Sequence, residues 1–214
     1  MRFIVGFICT IRHQKFKERA TVKKIFLCDK LVRDKVQQRY HAQGIEGVYR
    51  VLNHAERCDY AKKKVFEEAQ EAIEEMQADH IPHAVSELAD VIQAAQALLA
   101  LRQEPHTGIF SSAILATFLE SAAQHKDAPT IADQLMHHVG NLQQSSAASL
   151  ERDILSVCFS AIRLAQSLGY SLESFKHVFE QKEQKKGSFQ TWTCLSQITL
   201  PEDHPKFQAY AKRY

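Results

Sequence analysis

Apolar side chains recur at steps of three and four residues through most of this chain, and that spacing limits the fold more than any other feature. Such a period keeps one face of an α-helix apolar. It occurs in six segments: Phe66, Ala69, Ile73 and Met76; Val85, Leu88, Ile92, Ala95 and Leu99; and residues near 109–124, 131–142, 154–168 and 172–179. Only seven glycines and five prolines interrupt the 214 residues. The pattern therefore predicts an all-α protein, an antiparallel helix bundle.

Two short stretches look like β-strands instead: GVYRVL, which begins at Gly47, and FQTWTCLSQITL, which begins at Phe189. We expect a single helical domain over residues 22–214. Within it, residues 22–101 form a first half, residues 102–190 a second half, and residues 191–214 a C-terminal tail. Residues 1–21 form a loosely attached extension. Its apolar run, FIVGFICTI, is too short to span a bilayer, and no small-residue cleavage site follows it.

Composition excludes several classes of partner and site. The formal net charge of +2 argues against a bulk nucleic-acid partner, and no membrane partner is expected. The five cysteines are scattered and never spaced as CxxC, which indicates reduced thiols and a cytoplasmic protein. His80 and His83 are spaced for one helix face, but Pro82 lies between them, so we do not expect a metal site there.

Four acidic residues form two pairs beside apolar stripes. Glu68 and Glu71 project from one helix face, whereas Glu67 and Glu74 diverge from it. Glu87 and Asp90 repeat the three-residue step on the next helix, which is otherwise almost uncharged. A link of about ten residues allows an antiparallel hairpin, which would bring the two pairs face to face.

Four converging carboxylates repel one another and stay ionised together only if cations neutralise them. Ligands that offer only oxygen suit Mg²⁺, with Mn²⁺ as an alternative. The pattern has a second interpretation, because most glutamate-rich helix faces are solvated and paired with lysines. Lys62, Lys63 and Lys64 lie close enough in sequence to be those partners.

The acidic pairs carry a resemblance to a known superfamily. Glu68-Ala-Gln-Glu71, followed after fifteen residues by Glu87-Leu-Ala-Asp90, is similar to the ExxE…ExxD signature of the all-α NTP pyrophosphohydrolases of the MazG-like type. KLVRDKV (Lys30–Val36) and YRVL (Tyr49–Leu52) resemble the opening of the phosphoribosyl-ATP pyrophosphohydrolase-like branch. KKGSF (Lys185–Phe189) resembles that branch's Gly-Gly-Phe ending, with Ser188 in place of a glycine.

The resemblance implies a Mg²⁺-dependent enzyme that cleaves a nucleoside triphosphate between its α- and β-phosphates and so clears non-standard or surplus nucleotides. Glu68, Glu71, Glu87 and Asp90 would bind the metal, and Glu68 or Glu71 would also orient the attacking water. The signature offers Lys30, Arg33 and Lys35 as phosphate-binding groups. Lys64 joins them because it lies one turn before Glu68. Each of these four is equally open to a role as an ordinary ion-pair partner.

Two other functions stay open: hydrolysis of phosphoribosyl-ATP, and a non-catalytic bundle that binds a nucleotide or a partner. The second half resembles the first, since aligning the helices pairs Glu68 with His138 and Glu71 with Asn141. Leu150 and Asp153 then occupy the positions of the second acidic pair. We interpret this as a degenerate repeat that makes the chain a pseudo-dimer. The alternative to a repeat is a chance likeness between amphipathic helices, and the alternative to a pseudo-dimer is a true homodimer.

Overall fold

The computed structural model of the chain describes residues 22–101 and 127–214, which form seven α-helices and three β-strands. The helices are α1 (Val36–Ala42), α2 (His54–Gln77), α3 (Ile81–Ala100), α4 (Ala128–Gln144), α5 (Leu150–Ser167), α6 (Leu172–Lys186) and α7 (Phe207–Arg213). The strands are β1 (Lys23–Val32), β2 (Glu46–Val51) and β3 (Thr193–Pro201). A predominantly helical protein is confirmed. The helices are accompanied by one small antiparallel sheet of three strands, and the MazG-like type of the bundle stays a prediction.

Two helical hairpins form the main core. The helices of the first are α2 and α3, those of the second are α4 and α5, and α6 packs along α3. Across the core α3 packs on α5 and α2 on α4, which is the pairing expected of two repeats packed as a pseudo-dimer. The repeat itself stays a prediction. The predicted helix near residues 109–124 and the extension over 1–21 lie outside the described residues.

The turn between α2 and α3 is much shorter than the sequence predicts. Only residues 78–80 separate the two helices, because Pro82 lies in the first turn of α3, where its missing N–H needs no partner. Asp79 adopts a left-handed backbone with φ of 60°. The His80 amide then donates to the Glu75 carbonyl at 2.9 Å, and the Asp79 amide to the Met76 carbonyl at 3.1 Å. These two bonds define a Schellman motif, which fixes how α3 leaves α2.

The sheet has the order β1-β3-β2, so the strand nearest the C-terminus lies at its centre. The sequence indicates β2 and β3 but misses β1. A bulge near Asp29, whose φ is 40°, breaks the alternation of β1, and its exposed lysines are typical of an edge strand. Phe26, Ile198 and Phe207 belong to a small second core that joins the sheet to α7. Residues 191–214 are thus an integral part of the fold rather than a tail.

The KLVRDK and KKGSF segments, far apart in sequence, pack directly on each other. The amides of Asp34 and Lys35 donate to the carbonyls of Ser188 at 2.9 Å and Lys186 at 3.0 Å. The Asp34 carboxylate accepts hydrogen bonds from Ser188 Oγ at 3.0 Å, the Gln190 amide at 3.2 Å, and the Thr191 amide and Oγ1 at 2.9 and 2.7 Å. Partial burial alone would raise the pKa of Asp34, but these bonds outweigh it and hold the pKa below its ordinary value.

Gly187 is needed at this contact. Its φ of 81° and ψ of −172° lie in a region that is essentially closed to other residues. A Cβ there would also lie 3.2 Å from both Cγ and the amide nitrogen of Lys35. The backbone of the KKGSF segment can therefore approach the KLVRDK turn this closely only with glycine at position 187.

We expect Gly187→Ala to lower the free energy of unfolding by about 1–3 kcal/mol, because alanine is strained in that backbone conformation. Chemical denaturation monitored by circular dichroism measures the change. Gly140→Ala is the matched control. Gly140 is exposed in α4 with open space around its Cα, so alanine should stabilise the protein by about 0.5–1 kcal/mol. Equal effects of the two substitutions would contradict the structural role of Gly187.

Candidate functional site

Most of the predicted site residues line one cavity of about 260 Å³, where β1 and α7 approach the α2–α3 hairpin. Four carboxylates and seven basic side chains face it. The carboxylates belong to Glu67, Glu68, Glu71 and Glu87, and the basic groups to Lys30, Arg33, Arg39, Lys64, Lys186, Lys206 and Arg213. The cavity is therefore lined by both acidic and basic side chains, and the basic ones are more numerous.

Three of the four predicted metal ligands come together. Carboxylate oxygens of Glu68, Glu71 and Glu87 lie within 4.8 Å of one another. Glu68 is only 5% exposed because it lies on the apolar stripe of α2 among buried alanines and valine. Burial and repulsion from Glu68 raise the pKa of Glu71, against the pull of Arg213. Burial likewise raises the pKa of Glu87, where Lys182 opposes the shift and Glu68 adds to it.

Asp90, the fourth predicted ligand, lies apart from this cluster and is enclosed by cations. Its carboxylate is 3% exposed and accepts hydrogen bonds from Lys182 Nζ at 2.7 Å, from Lys186 Nζ at 2.9 Å and from the Arg33 guanidinium. Burial alone would raise its pKa, but the three cations hold the pKa of Asp90 well below its ordinary value. Protein cations therefore stabilise the charge that we expected a metal ion to neutralise.

The predicted phosphate-binding groups divide into two sets. Lys30, Arg33 and Lys64 line the cavity, whereas Lys35 turns away and donates to the Gln184 carbonyl at 2.8 Å. Burial disfavours the charged form of Lys64, but its contacts with Glu68 and Glu67 outweigh burial and raise its pKa. The KLVRDK segment thus supplies two cations to the cavity. Its third cation, Lys35, binds a backbone carbonyl of α6 instead.

Several site residues were not predicted from the sequence. Glu67 faces the cavity after all, because β1 and α7 cover that side of α2. Arg213 of α7 contacts both Glu67 and Glu71 with its guanidinium. Lys182 lies 3.5 Å from Glu87 as well as contacting Asp90. These basic residues follow the acidic pairs by more than ninety positions in the chain, so only tertiary packing brings them to the site.

The three clustered carboxylates fit a hard divalent cation. They offer only oxygen, and they are close enough to share one ion. Burial, with repulsion from Glu68, raises the pKa of Glu71 and of Glu87, so a bound cation would stabilise their ionised forms. Asp90 does not fit that role in this arrangement, because its oxygens already bind Arg33, Lys182 and Lys186.

The second hairpin has no corresponding cluster among the described residues. His138 shares a hydrogen bond of 2.8 Å with Ser160 Oγ, and the Asn141 amide contacts His137 at 3.2 Å. Asp153 contacts its neighbour Arg152. The positions aligned with the acidic residues of the first hairpin therefore make local polar contacts.

Comparison of the chain with protein families, curated proteins and solved structures found no match. In residues 22–101 and 127–214, no helix has the length and apolar character needed to cross a membrane.

We expect Asp90→Asn to lower the free energy of unfolding by about 3–5 kcal/mol, because it leaves three cations around a neutral amide in a buried place. Urea denaturation with a chelator present measures this without any contribution from a bound metal. Glu180→Gln is the control, since Glu180 makes only an exposed contact with Lys176 at 3.8 Å and should change stability by under about 0.5 kcal/mol. A change below about 1 kcal/mol for Asp90→Asn would contradict the assigned role.

Proposed function

We propose that this protein is a Mg²⁺-dependent nucleoside triphosphate pyrophosphohydrolase that releases a nucleoside monophosphate and pyrophosphate. The observation that carries the proposal is the cavity itself, which three clustered carboxylates line together with seven basic side chains. An acidic cluster alone would suit a cation, and basic side chains alone would suit an anion. The two together suit a metal complex of a polyphosphate, and the ExxE…ExxD and KLVRDK segments point to the same chemistry.

In this proposal Glu68, Glu71 and Glu87 hold the ion, and Mn²⁺ could replace Mg²⁺ because both prefer oxygen ligands. The bound ion would offset negative charge on the phosphates and lower the pKa of a water molecule. Asp90 acts as a positioning residue. By binding Arg33 and Lys186 it holds two cations at the cavity wall, where they meet phosphate oxygens.

Glu71 is the better candidate to orient the attacking water. Both carboxylates line the cavity and contact a cation, Lys64 for Glu68 and Arg213 for Glu71, but Glu68 is nearly buried whereas the Glu71 side chain is 29% exposed. The water oxygen attacks the α-phosphorus, and the bond from that phosphorus to the bridging oxygen breaks. Pyrophosphate leaves, and the proton from the water passes to the carboxylate and then to solvent. Lys30 and Lys64 lie where they can balance charge on the departing group.

We expect Glu71→Gln and Glu87→Gln each to lower the turnover number at least about 100-fold, since each removes one carboxylate from the cluster. Pyrophosphate release from a panel of standard and modified nucleoside triphosphates, with Mg²⁺, measures it. Glu74→Gln is the control, because Glu74 lies on the same helix but is exposed and outside the cavity. Wild-type activity in Glu71→Gln would overturn the site assignment.

The products distinguish this reaction from other hydrolyses. We expect phosphorus NMR to show monophosphate and pyrophosphate, because attack occurs at the α-phosphorus. Diphosphate and orthophosphate would identify a γ-phosphatase and contradict the proposal. Including phosphoribosyl-ATP in the panel tests the second substrate class. Nucleotide binding without turnover of any substrate would favour the non-catalytic bundle.

A further inference from the structure

A second cluster of metal-binding side chains lies at the turn between α2 and α3, outside the cavity. Glu75 comes from the last turn of α2, His80 is the residue that precedes α3, and His83 lies in its first turn. The three groups offer ligand atoms within 4.8 Å of one another. Unlike the cavity cluster, this one contains two imidazoles, and no basic side chain is found in ion-pair contact with Glu75 among the described residues apart from these histidines.

The backbone builds this arrangement. The Schellman motif joins the His80 amide to the Glu75 carbonyl, so the two residues are held side by side across the turn. Pro82 begins the helix instead of interrupting it, so His80 and His83 lie one turn apart on the same side of α3. The proline that argued against a metal site in the sequence is therefore compatible with one.

The spacing of the ligand atoms suits a single small cation. Glu75 Oε2 lies 2.9 Å from His80 Nδ1 and 3.6 Å from His83 Nδ1. Two ligands bound tetrahedrally at about 2.0–2.2 Å from Zn²⁺ are about 3.3–3.6 Å apart. The separation between Glu75 and His83 already matches that range, and the one between Glu75 and His80, now a hydrogen bond, would widen by about 0.5 Å when the ion replaces it. The side chains are 36%, 63% and 76% exposed for Glu75, His80 and His83, so an ion can reach them without any opening of the fold.

We propose that Glu75, His80 and His83 form a binding site for a divalent transition-metal ion such as Zn²⁺ or Ni²⁺. Two imidazoles and one carboxylate are typical ligands of these ions, whereas Mg²⁺ prefers oxygen alone. Glu75 follows Glu71 by four residues, and His83 precedes Glu87 by four. The ion therefore lies about one helical turn beyond the carboxylate cluster. It links α2 to α3 in the hairpin that carries this cluster. This site does not depend on the proposed enzymatic function.

Isothermal titration of the full chain, free of any histidine tag, with Zn²⁺ in excess Mg²⁺ tests the proposal. The excess Mg²⁺ occupies the oxygen-only cluster, so Zn²⁺ reports on the turn. We expect one saturable site, and a thermal midpoint raised by about 5 °C at a hundredfold excess over Kd. His80→Ala, His83→Ala and Glu75→Gln should each raise Kd at least about tenfold.

Two controls separate this site from others. His177→Ala removes an exposed histidine that shares a hydrogen bond of 2.7 Å with Gln181, one turn away, and should leave the Zn²⁺ affinity unchanged. Glu71→Gln should also leave it unchanged, since that residue belongs to the other cluster. Thermal midpoints without Zn²⁺ should be equal for wild type and the turn variants. The proposal is wrong if wild type shows no saturable binding, or if His177→Ala or Glu71→Gln weakens binding as much as His80→Ala does.

Discussion

The buried carboxylate of Asp90 is the interaction on which the rest of the site depends. It joins three elements that are distant in the chain, because its cation partners come from the end of β1 and from two positions on α6. A single aspartate at this depth would be too costly to ionise, and three cations there would repel one another. Together they form a charge cluster that fixes where the sheet and α6 meet the α2–α3 hairpin. The cavity lies directly beside this cluster.

The charge cluster around Asp90 gives a physical reason why the KLVRDK and KKGSF segments occur together in this chain. In KLVRDK, Lys30 and Arg33 face the cavity, while Asp34 accepts hydrogen bonds from the residues that follow KKGSF. In KKGSF, Lys186 binds Asp90, and Gly187 allows the close approach to Lys35. Each segment thus supplies one group to the charge cluster and one to the backbone contact. Ser188, which stands where the resembling branch has glycine, donates its hydroxyl to Asp34.

Features that depend on spacing within one segment could be predicted from the sequence, whereas contacts between distant segments could not. The helices and the two acidic pairs depend on spacings of three and four residues, so Glu68, Glu71 and Glu87 were found. Lys182 and Arg213 reach the site only through packing between distant elements, and no local pattern marks them. The bulge in β1 hides that strand from its sequence pattern, and the sequence does not show that Lys35 donates to the Gln184 carbonyl in α6. The spacing of the acidic pairs predicts which carboxylates cluster, but it does not show which basic side chains line the cavity.

The central position of β3 has a consequence for how the protein is made. β1 and β2 emerge from the ribosome early, yet among residues 22–101 and 127–214 both pair only with β3, which is synthesised about 150 residues later. At ordinary rates of synthesis that delay is on the order of 10 s, during which two strand edges have no partner. The helical hairpins consist of local contacts and can form meanwhile. The side of the cavity that β1 and α7 form is therefore completed after the acidic hairpin, once β3 and α7 have been synthesised.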